Sequence, residues 1–212
     1  MNPNELRFFN PFAEIERTAN YLPHWQQPGA TYFITFRLRD ALPAALRDQW
    51  LDERTAWLAS HPKPWSPKVE MEYHRRFSAR MDEWLDAGHG ACVLRAGACR
   101  EIVEATLRHL DGGEYFHHAS VVMPNHAHIL VSLAAGSRLE TTVSAWKSVA
   151  SRRINRSLGR GGALWQEDYF DRLIRDETHF GNCARYIRGN PAKARLREGE
   201  FTLYESEMVE GL

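Results

Sequence analysis

The chain is poor in the features that mark several protein classes. It has only three cysteines among 212 residues, Cys92, Cys99 and Cys183, with no C-x-x-C pair. An odd, scattered set of this kind argues against a disulfide framework, a zinc ribbon or a thiol catalyst, and fits a reducing compartment. No apolar run approaches the roughly 20 residues that a membrane-spanning helix needs. The opening MNPNELRFFNPF lacks the basic-then-apolar layout of a signal peptide. The expectation is a cytoplasmic protein that does not enter the membrane. Internal repeats and low-complexity segments are also missing. A composition 43% hydrophobic and 25% charged is that of an ordinary globular chain, long enough for one substantial core.

An excess of charge is lacking too. Formal net charge is zero, whereas proteins that bind nucleic-acid phosphates usually carry a basic surplus. The distribution is less neutral than the sum. Residues 141–197 hold twelve Lys or Arg and five Asp or Glu, a local charge of +7 against −7 for the rest.

The patterning that is present reads as a mixed α+β chain. ATYFITFRL (30–38) is rich in β-branched and aromatic residues and reads as a strand. Residues 43–86 have helical spacing interrupted by Pro62, Pro64 and Pro67, which predicts two helices joined by a kinked loop. CREIVEATLRHL (99–110) spaces apolar residues as a helix does. YFHHASVV and HAHILVSL flank the turn-forming Met123-Pro124-Asn125 and predict an antiparallel hairpin. A long basic helix is expected at 138–158, a last strand within 163–175, and a terminal helix from Thr178 to Arg188, before the Asn190-Pro191 break. The order is the βαββαβ or ferredoxin-like plan, an antiparallel sheet with helices on one face, followed by a C-terminal helix. The expected organisation is an arm over 1–29, a domain over 30–197 with a helical insertion at about 40–98, and an acidic tail over 198–212. The insertion exceeds what this plan requires. The tail, with Glu200, Glu205, Glu207 and Glu210, could shield the basic segment or simply aid solubility.

His126 and His128 stand two apart on a predicted strand, so both imidazoles project from one face, roughly 7 Å apart along the backbone. Such a pair can share one metal ion and leave positions open for further ligands. A strand with one packed and one surface histidine would show the same spacing. Tyr186 falls in a helical stretch with Asn190 one turn later. A phenol with an ordinary pKa of about 10 becomes a nucleophile only beside a metal, a base or positive charge, which Arg185, Arg188 and Lys193 could supply. Tyr186 also reads as a core residue of an amphipathic helix, and Asn190 as the N-cap of a helix opening at Pro191. Along 138–158, Trp146, Lys147, Arg152, Arg153 and Arg156 interleave a ring with cations, as a single-strand binding surface does. A solvated basic face with Trp146 in the core is the alternative.

Four ordered blocks then carry a resemblance: VVMPNHAHILV (121–131), WKSVASRRIN (146–155), LWQEDYFDRLIR (164–175) and YIRGNPAKARL (186–196). With YFITFRL (32–38) as a first strand, they resemble the REP-associated tyrosine transposases, single-tyrosine HUH endonucleases related to insertion-sequence transposases. The resemblance spans about 30 to 200. It implies that His126 and His128 bind Mg²⁺ or Mn²⁺ with Asn190 as third ligand, and that Tyr186 attacks a phosphodiester of single-stranded DNA. The product would be a 5′-phosphotyrosine and a free 3′-hydroxyl, whose bond energy is conserved for rejoining. The implied partner is single-stranded or hairpin DNA, at palindromic repeats, with Trp146, Lys147, Arg152, Arg153, Arg156, Arg188 and Lys193 as contacts. A homodimer and a monomer both fit. Two other readings are a hairpin-binding protein that has lost cleavage and a metal-dependent hydrolase of a small phosphoester.

Overall fold

A computed structural model describes residues 6–19, 23–62 and 65–212; Pro64 of the expected proline break lies outside them. Strand β3 (Thr31–Arg37) pairs with β5 (His126–Leu133) on one side and with the short β6 (Phe170–Leu173) on the other. Strand β4 (Tyr115–Val122) joins β5 through the hairpin, and β7 (Thr202–Glu205) joins β4. The five-stranded sheet has the order β6-β3-β5-β4-β7 with every pair antiparallel. Its first four strands give the βαββαβ arrangement expected from the sequence.

The sheet has helices on both faces, and this departs from the expectation. Helices α4 (Gly97–Arg108) and α5 (Leu139–Ser157) bury Val103, Leu107, Val143 and Ile154 against Ile34, Ile129 and Val131. Helix α6 (Glu177–Lys193) buries Phe180, Ala184 and Ile187 against Phe33, Val121 and Leu130 on the opposite face. The period-2 alternation of β5 explains this. Ala127, Ile129, Val131 and Leu133 point to one core, while His126, His128 and Leu130 point to the other. All eight β5 residues are buried, as befits a central strand covered on both sides.

The insertion holds two helical stretches, as expected. Helix α1 (Ala44–Ser60) is followed by α2 (Pro67–Tyr73), a wide π turn (His74–Ser78) and α3 (Ala79–Asp86), a right-handed helical backbone with one expanded turn. Ser66 caps α2 through Val69 N, and Pro67 starts the helix where its missing N–H costs nothing. Trp50, Trp57, Tyr73 and Phe77 form a separate apolar cluster inside the insertion. It is therefore a packed subunit of the fold rather than a long loop.

Both chain ends depart from the arm and tail expected. Strands β1 (Glu16–Ala19) and β2 (Pro23–Gln26) pair with each other, and buried His24 reaches β6 and the residues before it. The acidic tail supplies edge strand β7 and the short helix α7 (Glu207–Glu210), with Val209 fully buried. The last strand is shorter than 163–175 because Trp165 only bridges Leu38 before regular pairing begins at Phe170. Helix α6 runs through Pro191 to Lys193. Proline there removes a single hydrogen bond in the final turn, where the helix is about to end.

Candidate functional site

The turn Met123-Pro124-Asn125 is held from several directions. Met123 N donates to His126 O, closing the hairpin; Leu38 N donates to Asn125 O and Leu94 N to Pro124 O. The Asn125 amide donates to Leu85 O and His89 O at the end of the insertion. Its oxygen is thereby oriented to accept from His126 Nδ1 at 2.8 Å. Across the strand pair, Thr35 Oγ1 lies 2.7 Å from His128 Nδ1.

With both Nδ1 atoms occupied, the two Nε2 atoms converge to 3.1 Å. Each imidazole is 1% exposed. Burial, with the charges of Lys193 and Arg37, lowers the His126 pKa to about 3; burial, His126 and Lys193 hold His128 well below its ordinary value. Both rings are neutral and keep a lone pair for a cation. Asn125 fixes the tautomer of His126, a typical outer partner of a ligating imidazole.

Tyr186 projects from α6 toward this pair. Its ring meets His128 edge-on with centroids 5.2 Å apart, and Phe33 at 5.7 Å. Among the described residues, the Tyr186 hydroxyl is buried without a well-formed hydrogen bond, and so are both amide atoms of Asn190, one helical turn on. Asn190 is inside α6, not at its start, which removes the N-cap reading. Burial and the neighbouring Asp82 carboxylate raise the Tyr186 pKa above its ordinary value. Burial likewise raises Asp82 to about 6, opposed by Tyr186 and Lys193. Lys193 pairs with Asp86 at 2.9 Å and lies 5.9 Å from the Tyr186 ring centroid.

The residues present fit a divalent cation. Two neutral imidazoles converge on one point, and an orphaned buried amide lies on the neighbouring helix. Among the described residues no cluster of three or more His, Cys, Asp or Glu is gathered for a metal. A third protein ligand would then be of another type, as Asn190 is.

The expected DNA contacts divide. Trp146 is in the core, 3% exposed, donating to Tyr115 OH at 2.9 Å. It cannot stack on a base there, because α5 needs that ring to seal its apolar face. Arg188 is taken up by Glu205, Val209 O and Leu212 O, so it clamps the tail. Lys147 is half-buried and donates to Glu167 O. Arg152, Arg153 and Arg156 are exposed, on the helix that covers the sheet face opposite the histidine pair.

Sequence reasoning missed Asp82, Arg37 and Arg172. A cleft of about 1350 Å³ between the insertion and strands β3 and β6 is lined by all three and by Tyr186. The signal for Asp82 was weak, since it sits on an ordinary amphipathic helix far away in sequence. Arg37 and Arg172 lay inside quoted strand motifs, where alternation with Thr35 and Phe170 would have assigned their face.

Comparison with known proteins bears out the resemblance. Residues 99–190 match the family described as "Transposase IS200 like", and that segment contains His126, His128, Tyr186 and Asn190. Among solved structures, a REP-associated tyrosine transposase bound to a REP hairpin is 17% identical, covering 83% of this chain and 74% of that one with a TM-score of 0.44. A candidate transposase from Deinococcus radiodurans R1 is 13% identical, covering 87% of this chain and 98% of that one with a TM-score of 0.32. None of the curated proteins matches the chain.

Proposed function

We propose that this chain, whose segment 99–190 matches the family described as "Transposase IS200 like", cleaves and rejoins single-stranded DNA through a covalent bond to Tyr186. The observation that carries this reading is the placement of the Tyr186 ring against His128, beside a second imidazole whose Nε2 faces the first at 3.1 Å. His126, His128 and Asn190 would hold a Mg²⁺ or Mn²⁺ ion. Such an ion supplies Lewis-acid polarisation of a phosphate oxygen.

The chain's own residues do the rest. Asn125 and Thr35 hold the imidazoles in a ligating orientation. Asp82, ionised above about pH 6, accepts the proton that the Tyr186 hydroxyl gives up. The phenolate oxygen then attacks phosphorus, the bond to the 3′-oxygen breaks, and that oxygen leaves to take up a proton. The DNA 5′-phosphate stays on Tyr186, and return of a 3′-hydroxyl reverses the step. Because both imidazoles are nearly inaccessible, the Tyr186 ring must move aside to admit the phosphate. The exposed cations Arg152, Arg153 and Arg156 would meet the backbone of a hairpin stem from the far side of the sheet.

The test is incubation with Mn²⁺ and a labelled single-stranded hairpin, followed by a denaturing protein gel. Label carrying the 5′-phosphate fragment should remain on the protein, and Tyr186→Phe should abolish it. Binding with no adduct under any metal would instead make this a DNA-binding protein without cleavage.

A further inference from the structure

The basic helix α5 drew attention in the sequence, yet the site lies on the other face of the sheet. What faces the site is the cleft between the insertion and strands β3 and β6. We infer that α1, α2 and α3 form the outer wall of a channel for single-stranded DNA, in which Arg37 and Arg172 hold the phosphates leading to Tyr186. This rests on the function proposed above and names the path its substrate takes.

Four observations support it. First, the position is right. Arg37 is the register partner of His126 and Arg172 that of Phe33, so both guanidiniums share the sheet face of the histidine pair. Second, neither cation touches a carboxylate among the described residues, although Asp168 acts on Arg37 and Asp82 and Glu70 act on Arg172 from further away. Arg37 is half-buried and donates to Met81 Sδ at 2.8 Å; Arg172 donates to His74 Nδ1 at 3.1 Å. Neither forms an ion pair with a carboxylate among the described residues. A thioether and a neutral imidazole are poor substitutes, and a desolvated guanidinium without a counterion in contact is costly. Burial and Arg47, opposed by Asp168, lower the Arg37 pKa to about 10; burial and the charges of Arg172 and Arg175, opposed by Glu70, lower that of His74 to about 4. Arg37 stays charged, and His74 stays neutral.

Third, the remaining wall suits bases. Phe170 is half-buried beneath the Arg172 guanidinium, 5.6 Å from ring to charge, and Met71 of α2 is 67% exposed. Apolar faces alternating with cations are what a single strand needs, and a base pair would hide the faces that stack. Fourth, the wall is rigid. Trp50, Trp57, Tyr73 and Phe77 give the insertion its own core, and Asn125 ties its end to the His126 turn. A cleft of about 1350 Å³ also exceeds the roughly 300–1,000 Å³ of a small-ligand pocket.

The experiment measures binding of a fluorescent, unstructured oligonucleotide to full-length Tyr186→Phe protein without metal, so that cleavage plays no part. Arg37→Gln and Arg172→Gln should each weaken binding about tenfold, the loss of one charged hydrogen-bonded contact. Each should also reduce the slope of log affinity against log salt by about 0.7. Arg108→Gln, on α4, should change neither. Unchanged affinity in folded Arg37 and Arg172 variants overturns the inference, as does an equal affinity for blunt duplex. Should either variant fail to fold, crosslinking of a 5-iodouracil oligonucleotide to Tyr186→Phe protein decides: crosslinks in α2 or β6 support the channel, and crosslinks confined to α5 overturn it. The adduct assay on wild-type protein tests the parent function separately, so the two failures are distinguishable.

Discussion

Asp82 of the insertion and Tyr186 of helix α6 share one buried environment, and each alters the other's protonation. Burial and the Asp82 charge raise the phenol, while burial raises the Asp82 carboxyl to about 6. A group meant to remove the Tyr186 proton must be ionised, so adduct formation should rise as pH increases through about 6. Asp82→Asn should slow it about a hundredfold, within the usual range for a general base, and erase that acidic limb. Oligonucleotide affinity should be retained. A rate–pH profile of adduct formation in both proteins checks this; an unchanged limb in the variant would remove Asp82 from the step.

The histidine pair makes a calorimetric prediction. Mn²⁺ should bind at one site, and His126→Ala or His128→Ala should remove the binding. Asn125→Ala touches no ligating atom but frees the His126 ring to turn. Loss of such an outer partner typically costs 10- to 100-fold in metal affinity, so the variant should bind Mn²⁺ at least about tenfold more weakly. Equal affinity would show that the ring needs no such support.

His24 makes a prediction about stability. Burial alone would lower its pKa, but hydrogen bonds to Asp168 and Asp171 and their charges raise it to about 9. A folded pKa above the unfolded value means that its contribution is complete below about pH 6.5 and is lost as pH rises through about 9. The melting temperature should therefore fall between pH 6.5 and 9.5. His24→Gln should be less stable at pH 6.5 and show a flatter profile, read by thermal unfolding across that range.

Arg188 should be a structural residue despite its place beside Tyr186. It holds Glu205 and two carbonyls of the C-terminal segment, so Arg188→Ala leaves partly buried acceptors without this partner. A cost of about 2 kcal/mol is expected, measured by urea unfolding. Limited proteolysis should cut after residue 198, while the affinity of intact protein for single strands should hold.

The sheet, both helices of the βαββαβ unit and the histidine hairpin were legible because they rest on local periodicity. The alternation in HAHILVSL states that both histidines share a face, whatever lies opposite. Helix α6 was legible only to Arg188, because a proline normally marks an end, and in this chain it falls in the last turn. The tail was misread because charge density suggested a solvated segment. Arg188 and the open edge of β4 convert it into a strand.

What the sequence determined by itself was therefore the order of elements, the face carrying His126 and His128, and the helical phase relating Tyr186 to Asn190. Each follows from rises and periods that a chain segment expresses without its neighbours. Tertiary structure alone decided that α6 covers the histidine face while α5 covers the other, removing Trp146 from any binding surface. It also brought Asp82, Arg37 and Arg172 to the same cleft. Those juxtapositions depend on which faces bury each other, a property of packed surfaces rather than of any segment.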